Sequence, residues 1–436
     1  MIDLPPAPQP LVVAIAPAAW LSTLEPWAAA RSAELRVELV ALEDVCASND
    51  GVDAPERIKR HLWDAWKDRA ARYALLVGDA DVFPVRYMAL DRIMPAASDW
   101  AFYPSDLYYA DVAEHDGSFD DWNASREGFH AGYFGEVCGE KNKDGAIDRD
   151  GVSYVPELGV GRWPVSTREQ LRAVIAKTLA AKLPERPRAA LLHAVGWIDC
   201  SPLYSALSTQ LERAGYECSL SLGQANAGLG ALADGASIAL HAGHGSPGGW
   251  EHCIGPTEET ALLSVASGVF FSVGCSTAHW APEPPYQAYV DIHGVPQRGT
   301  NAGQVFTAPP PAPAPLQGGA HAEESIGERL VRAPTGGVLV YIGCATGAQP
   351  CALTLQQGFV DALVSSAAPN DPPLRVGDAW RRALAHYHAQ ERLAELVPTE
   401  DWYPPSIFFQ GMKFVLLGDP TLALPQPSAQ RAAERR

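Results

Sequence analysis

Nine short apolar runs punctuate this 436-residue chain, at 11–16, 35–42, 74–78, 158–161, 190–196, 237–240, 269–274, 338–343 and 414–418. They are rich in Val, Leu and Ile and do not alternate with polar residues, the pattern of strands buried on both faces. Segments of helical period lie between them, at 56–72, 168–182, 202–214, 323–332, 352–365 and 376–395. Strands alternating with helices predict an α/β fold, a mostly parallel sheet flanked by helices. In such sheets the chemistry sits outside the carboxyl ends of the strands.

The stretch "LPERPRA" near residue 185 breaks a long helix before a new strand. It divides the chain into two αβ subdomains, 1–185 and 186–425, followed by a tail, 426–436, expected to be disordered. Within the second, residues 282–322 carry "TAPPPAPAPLQGG". Proline clusters of this kind form extended spacers, so this segment is expected to be an exposed insertion.

Composition narrows the function. With 47% hydrophobic and 19% charged residues the chain is an ordinary globular one. A net charge of −18 argues against a nucleic-acid partner, which calls for a basic face. The start, "MIDLPPAPQPLVVAIAP", has no basic leader, and prolines cut its apolar run. No run approaches the ~18 apolar residues of a membrane span. Eight cysteines are scattered without a CxxC pair, which fits reduced thiols in a cytoplasmic setting.

Two strand ends carry candidate chemistry. "SIALHAGHGSPGGW" (237–250) holds His241 and His244 among glycines, and "GVFFSVGCSTAHW" (268–280) runs into Gly274 and Cys275. A thiolate nucleophile needs an imidazole to take its proton and backbone N–H groups to receive the oxyanion. His244 and Cys275 supply the first pair; the amides of Gly245 and Cys275 are the candidate oxyanion donors. Ser246 lacks the elbow pattern G-x-S-x-G, because the chain reads "HGSPG". His241 and His244 lack the glutamate of H-E-x-x-H. Cys344, in "VYIGCATG", is the competing thiol, with no histidine at comparable spacing.

The loop "EKNKDGAIDRDG" (140–151) partly fits a calcium loop, with Asn142, Asp144 and Asp148 as candidate ligands. Gly151 stands where that pattern requires a bidentate glutamate, so a solvated acidic loop competes with a structural calcium site. No cofactor is expected to be required.

These residues sit in a series of motifs that resembles the gingipain-type cysteine peptidases, peptidase family C25, caspase relatives. The series runs "YALLVGDADVFPV", "SDLYYADV", "YVPELGVGRWPVSTREQL", "HAGHGS", "FFSVGC" and "FVLLGDPTLAL", in family order across nearly the whole chain. The resemblance implies a caspase–hemoglobinase fold with His244 as base, Cys275 as nucleophile and Glu157 as the carboxylate orienting the imidazole. It also implies a substrate pocket beside the dyad, with Trp250, Arg168, Cys344 and Thr346 as candidate lining. An arginine at 168 would repel a basic substrate side chain and pair an acidic one.

The expected activity is that of a cysteine endopeptidase performing limited proteolysis on protein or peptide substrates inside the cell, with a regulatory protein partner left open. An inactive caspase-like scaffold and a metal-dependent hydrolase are the alternatives. Cys275→Ala and chelator sensitivity separate them.

Overall fold

The computed structural model describes residues 9–89, 102–122, 134, 153, 155–182, 186–224, 228–264, 266–300, 310–318, 322–365, 373–395 and 410–425. Ten strands form one sheet: β1 (Leu11–Ala16), β2 (Arg36–Ala41), β3 (Ala71–Val77), β4 (Gly159–Trp163), β5 (Arg188–His193), β6 (Glu217–Leu222), β7 (Ile238–Ala242), β8 (Ala266–Val273), β9 (Gly337–Cys344) and β10 (Phe414–Gly418). Their spatial order is β2-β1-β3-β4-β10-β9-β8-β7-β5-β6. The strands of the first half, β1 to β4, pair in parallel with one another, and so do β5 to β9; β10 runs against β9. A single pair, Leu417↔Arg162, joins β10 to β4. The last strand of the chain thus closes the sheet between the two halves, which share one core.

Every residue of β1 is buried. Alternate side chains point to opposite faces. Leu11, Val13 and Ile15 join a core with Ile58 and Leu62 of α2 (Ala54–Arg69), Leu207 of α4 (Ser201–Arg213), Phe359 of α5 (Leu353–Ser365) and Trp380 of α6 (Val376–Gln390). Val12 and Ala14 pack on the other face against Leu24 and Trp27 of α1 (Leu21–Arg31) and Leu171 of α3 (Arg168–Ala180). Helices therefore cover both faces, as the unalternating runs required.

The two halves point the same way. Trp280, just beyond the end of β8, holds the Arg162 guanidinium near the end of β4 at 4.2 Å from its ring. Arg162 also donates to the carbonyl of Gly78, just past β3 (2.8 Å). At the other edge, Ala30 and Arg31 at the end of α1 line one cavity with Ser237 and Ser267 at the starts of β7 and β8.

The proline-rich insertion departs from the expected spacer. The hairpin Tyr289–Val290/Pro296–Gln297 bridges to Pro313 through Asp291, and Ala312 and Gln317 are buried. Prolines lack a donor but keep their carbonyls: Pro315 accepts from the Val85 amide (2.7 Å) and Pro311 from the Tyr289 hydroxyl (2.8 Å). The described part of the insertion is docked on the loop after β3. Arg298 on it is exposed.

Candidate active site

β7 and β8 are parallel neighbours, paired from Val269↔Ile238 to Val273↔Ala242. His244 and Cys275 each follow the last paired position, Val273↔Ala242, by two residues, so they stand on neighbouring strand ends. The two chains stay in contact there: a side chain on Gly274 would place its first carbon 3.3 Å from the Gly245 Cα. One on Gly245 would come within 2.6 Å of Thr277 Cγ2 and 3.1 Å of the Cys275 carbonyl oxygen. Glycine is the residue that permits this approach, which answers why both strand ends are glycine-rich.

Cys275 is half-buried, with its Sγ 3.7 Å from the carbonyl oxygen of Ala348. The next residue, Ser276, has φ +54°, a left-handed conformation that non-glycine residues rarely adopt. It is fixed by its amide donating to the Thr346 carbonyl (2.7 Å) and by its own carbonyl accepting from the His279 amide (3.2 Å). Strained backbone of this kind persists where the surroundings over-determine it, commonly at active sites.

His244 is exposed, and its Nε2 lies 2.9 Å from the carbonyl oxygen of Gly196 in the turn after β5. A carbonyl only accepts, so Nε2 carries the proton and Nδ1 keeps the lone pair. The neutral ring is thereby set in the tautomer of a base. Gly196 is the site component that sequence reasoning missed. A backbone carbonyl has no residue signature; the available signal was that "HAVGWID" follows a strand neighbouring β7.

Several expected site residues lie elsewhere. The Glu157 carboxylate accepts from the amides of Val112 (2.9 Å) and Ala113 (3.3 Å). It precedes β4 and therefore stands at the amino edge of the sheet, opposite the edge that carries Cys275. It does not orient His244. Arg168 opens α3, and its guanidinium donates to the Ala19 carbonyl just past β1. β1 is five strands from β8 in the sheet. At ~4.8 Å per strand that is on the order of 20 Å, too far to line a pocket at Cys275.

Trp250 is 1% exposed, stacked on His241 at 4.3 Å, and donates its indole N–H to the Tyr341 hydroxyl (2.7 Å). It is a core residue that pairs with Gly245 in the hairpin after His244. His241, wholly buried and bonded to the Ser272 hydroxyl (2.9 Å), is pushed down by burial to about 3 and stays neutral. Cys344 is 0% exposed, and burial pushes its thiol up to about 12, which disqualifies it as a nucleophile. Thr346 is buried and touches the site through its carbonyl on Ser276. Asn142, Asp144 and Asp148 lie outside the described residues.

A cavity of about 710 Å³ opens beside the site, lined by Val195, Gln224, Ser246, Trp250, His252 and Ile254 among others. It is built by the turns after β5, β6 and β7, on the side of His244 away from Cys275.

A parallel sheet with a cysteine and a histidine on adjacent carboxyl ends is the arrangement of caspase-like cysteine peptidases. The sequence matches the family model of peptidase family C25 over residues 5–425, and the chain belongs to that family of cysteine endopeptidases. Among solved structures, the crystal structure of the Arg-specific cysteine proteinase gingipain R (RgpB) is similar at a TM-score of 0.60 and 15% identity, covering 96% of this chain and 80% of that one. The complex of Porphyromonas gingivalis RgpB pro- and mature domains gives 0.59 and 14%, covering 95% and 79%. A structure described as that of a protease gives 0.61 and 15%, covering 96% and 79%. No curated protein matches the chain.

Proposed function

We propose that this endopeptidase cleaves peptide bonds with Cys275 as nucleophile and His244 as acid–base. The observation that supports the assignment is that β7 and β8 are parallel neighbours followed, two residues past their last pair, by His244 and Cys275, on backbones that touch at Gly245 and Gly274. His244 Nδ1 takes the proton of Cys275 Sγ, and the thiolate attacks the scissile carbonyl carbon. The amides of Gly245 and Cys275 are the proposed donors to the oxyanion. The imidazolium formed is held by the Gly196 carbonyl, where a carboxylate would otherwise stand. It returns its proton to the leaving amine; water then attacks the thioester, with His244 again the base, and frees the acid and the thiol.

No step in this scheme requires a metal. Substrates are proteins or peptides, and the cavity beside His244 is the proposed place of substrate residues flanking the scissile bond, which itself lies at Cys275. The chain's proposed setting is limited cleavage in the cytoplasm; that the described cysteines are all free thiols supports a reducing compartment. Incubation with a peptide library, with and without chelator, tests the proposal. Cleavage that survives chelator and is lost in His244→Ala supports it; cleavage abolished by chelator restores the metal-dependent alternative.

A further inference from the structure

Near the nucleophile lies an imidazole–carboxylate pair, wholly inside the protein. His279 and Glu283 have side chains 2% and 3% exposed, with Nδ1 and Oε1 3.1 Å apart. His279 Nδ1 also lies 3.3 Å from the Ala345 carbonyl, just past β9. Both partners only accept, so Nδ1 carries a proton. Gln287 closes the ring: its Oε1 accepts from the Glu283 amide (3.0 Å), and its Nε2 faces His279 Nε2 at 3.4 Å. With that oxygen already engaged, the amide group of Gln287 is the donor and His279 Nε2 the acceptor.

The network grips the segment that shapes the site. His279 donates its backbone amide to the carbonyl of Ser276, the left-handed residue directly after Cys275. The imidazole thus ties the turn carrying the nucleophile to the end of β9, and Glu283 with Gln287 holds the imidazole.

We propose that His279 and Glu283 are positioning residues: a buried pair that holds the Cys275–Ser276 turn in its left-handed form and so sets the nucleophile against His244. The proposal rests on the reading of Cys275 as nucleophile. The pair touches no substrate. It acts through the backbone of Ser276, and its loss lowers turnover more than binding.

The test compares Glu283→Ala and Glu283→Gln with Asp378→Ala. Asp378 is a buried partner of Arg72 and Tyr73 at the far edge of the sheet, so its loss controls for destabilisation alone. Peptide turnover, Tm and the rate at which iodoacetamide alkylates Cys275, read by mass spectrometry of its peptide, are measured for each. Expected for Glu283→Ala is a kcat lowered about tenfold or more with KM within about threefold, and a parallel slowing of Cys275 alkylation. Glu283→Gln keeps an oxygen for His279 Nδ1–H and recovers most of both rates. Asp378→Ala lowers Tm and leaves both rates unchanged. Where Glu283→Ala does not fold, Gln287→Leu at the half-buried rim replaces it, with the same expected split. A lowered Tm with unchanged kcat and unchanged alkylation overturns the proposal. If the wild-type chain cleaves no peptide, the reading of its function fails, and the alkylation rates alone decide this one.

Discussion

Cys275 and His244 each stand two residues past Val273↔Ala242, the last paired position of two neighbouring parallel strands. A sheet register is a stiff device: a slip of one residue would turn every side chain to the other face. Here both faces of β7 are buried, so the pairing of the site is fixed by the packing of the core beneath it.

The glycine at the crossing is the first place to test this. Gly245→Ala drives a methyl group to within 2.6 Å of Thr277 and 3.1 Å of the Cys275 carbonyl. Forced overpacking of this sort costs roughly 1–3 kcal/mol. A lower Tm with a loss of peptide cleavage beyond what stability explains is expected from thermal melts and steady-state kinetics. Wild-type activity would show that the two strand ends need not touch.

Glu157→Gln should leave kcat and KM within about twofold of wild type, because its carboxylate serves the Val112 and Ala113 amides and a side-chain amide oxygen can do the same. A large fall in kcat with unchanged KM would return Glu157 to the dyad and contradict its place at the far edge.

His241 makes stability pH-dependent. Its folded value is depressed to about 3 by burial, below the ~6.5 of an exposed imidazole. Between those values the unfolded chain binds a proton that the folded chain does not. Stability from this group is therefore full above pH ~6.5 and falls by roughly 1.4 kcal/mol per unit as pH drops towards 3. His241→Phe, which keeps an aromatic ring beside Trp250, should flatten that slope relative to wild type in urea melts between pH 4 and 7. Parallel slopes would mean that His241 titrates normally in the fold.

Limited proteolysis addresses the insertion. Arg298 is exposed, whereas Ala312 and Gln317 beyond it are buried in the body of the protein. Trypsin should cut after Arg298 early and leave two fragments that co-elute on gel filtration. Fragments that separate would show that the docked prolines do not hold the insertion.

The runs buried on both faces were legible in the sequence because burial leaves nothing polar to confuse them: β1 and β10 fall on the residues expected. β6 was missed; "ECSLSL" is a half-exposed edge strand, with Glu217 and Leu220 exposed and polar residues interrupting its apolar run. α1 was missed because Pro26 stands inside it. That His244 and Cys275 follow the ends of two strands was readable from the apolar runs before them. The third member of the site was not. Adjacency of Glu157 to a strand does not reveal which edge of the sheet that strand end occupies, and the carbonyl of Gly196 could belong to any residue. The insertion was misread because proline content predicts an extended backbone but not where its carbonyls find donors.

The most direct test sets two thiols against each other. Cleavage of a peptide-library substrate is measured for wild type, Cys275→Ala and Cys344→Ala, with circular dichroism to confirm that each is folded. Cys275→Ala is expected to lose on the order of 10⁴-fold or more in kcat, as removal of a covalent nucleophile does, while Cys344→Ala keeps most of its activity. A dead Cys344→Ala beside an active Cys275→Ala would contradict the assignment of Cys275.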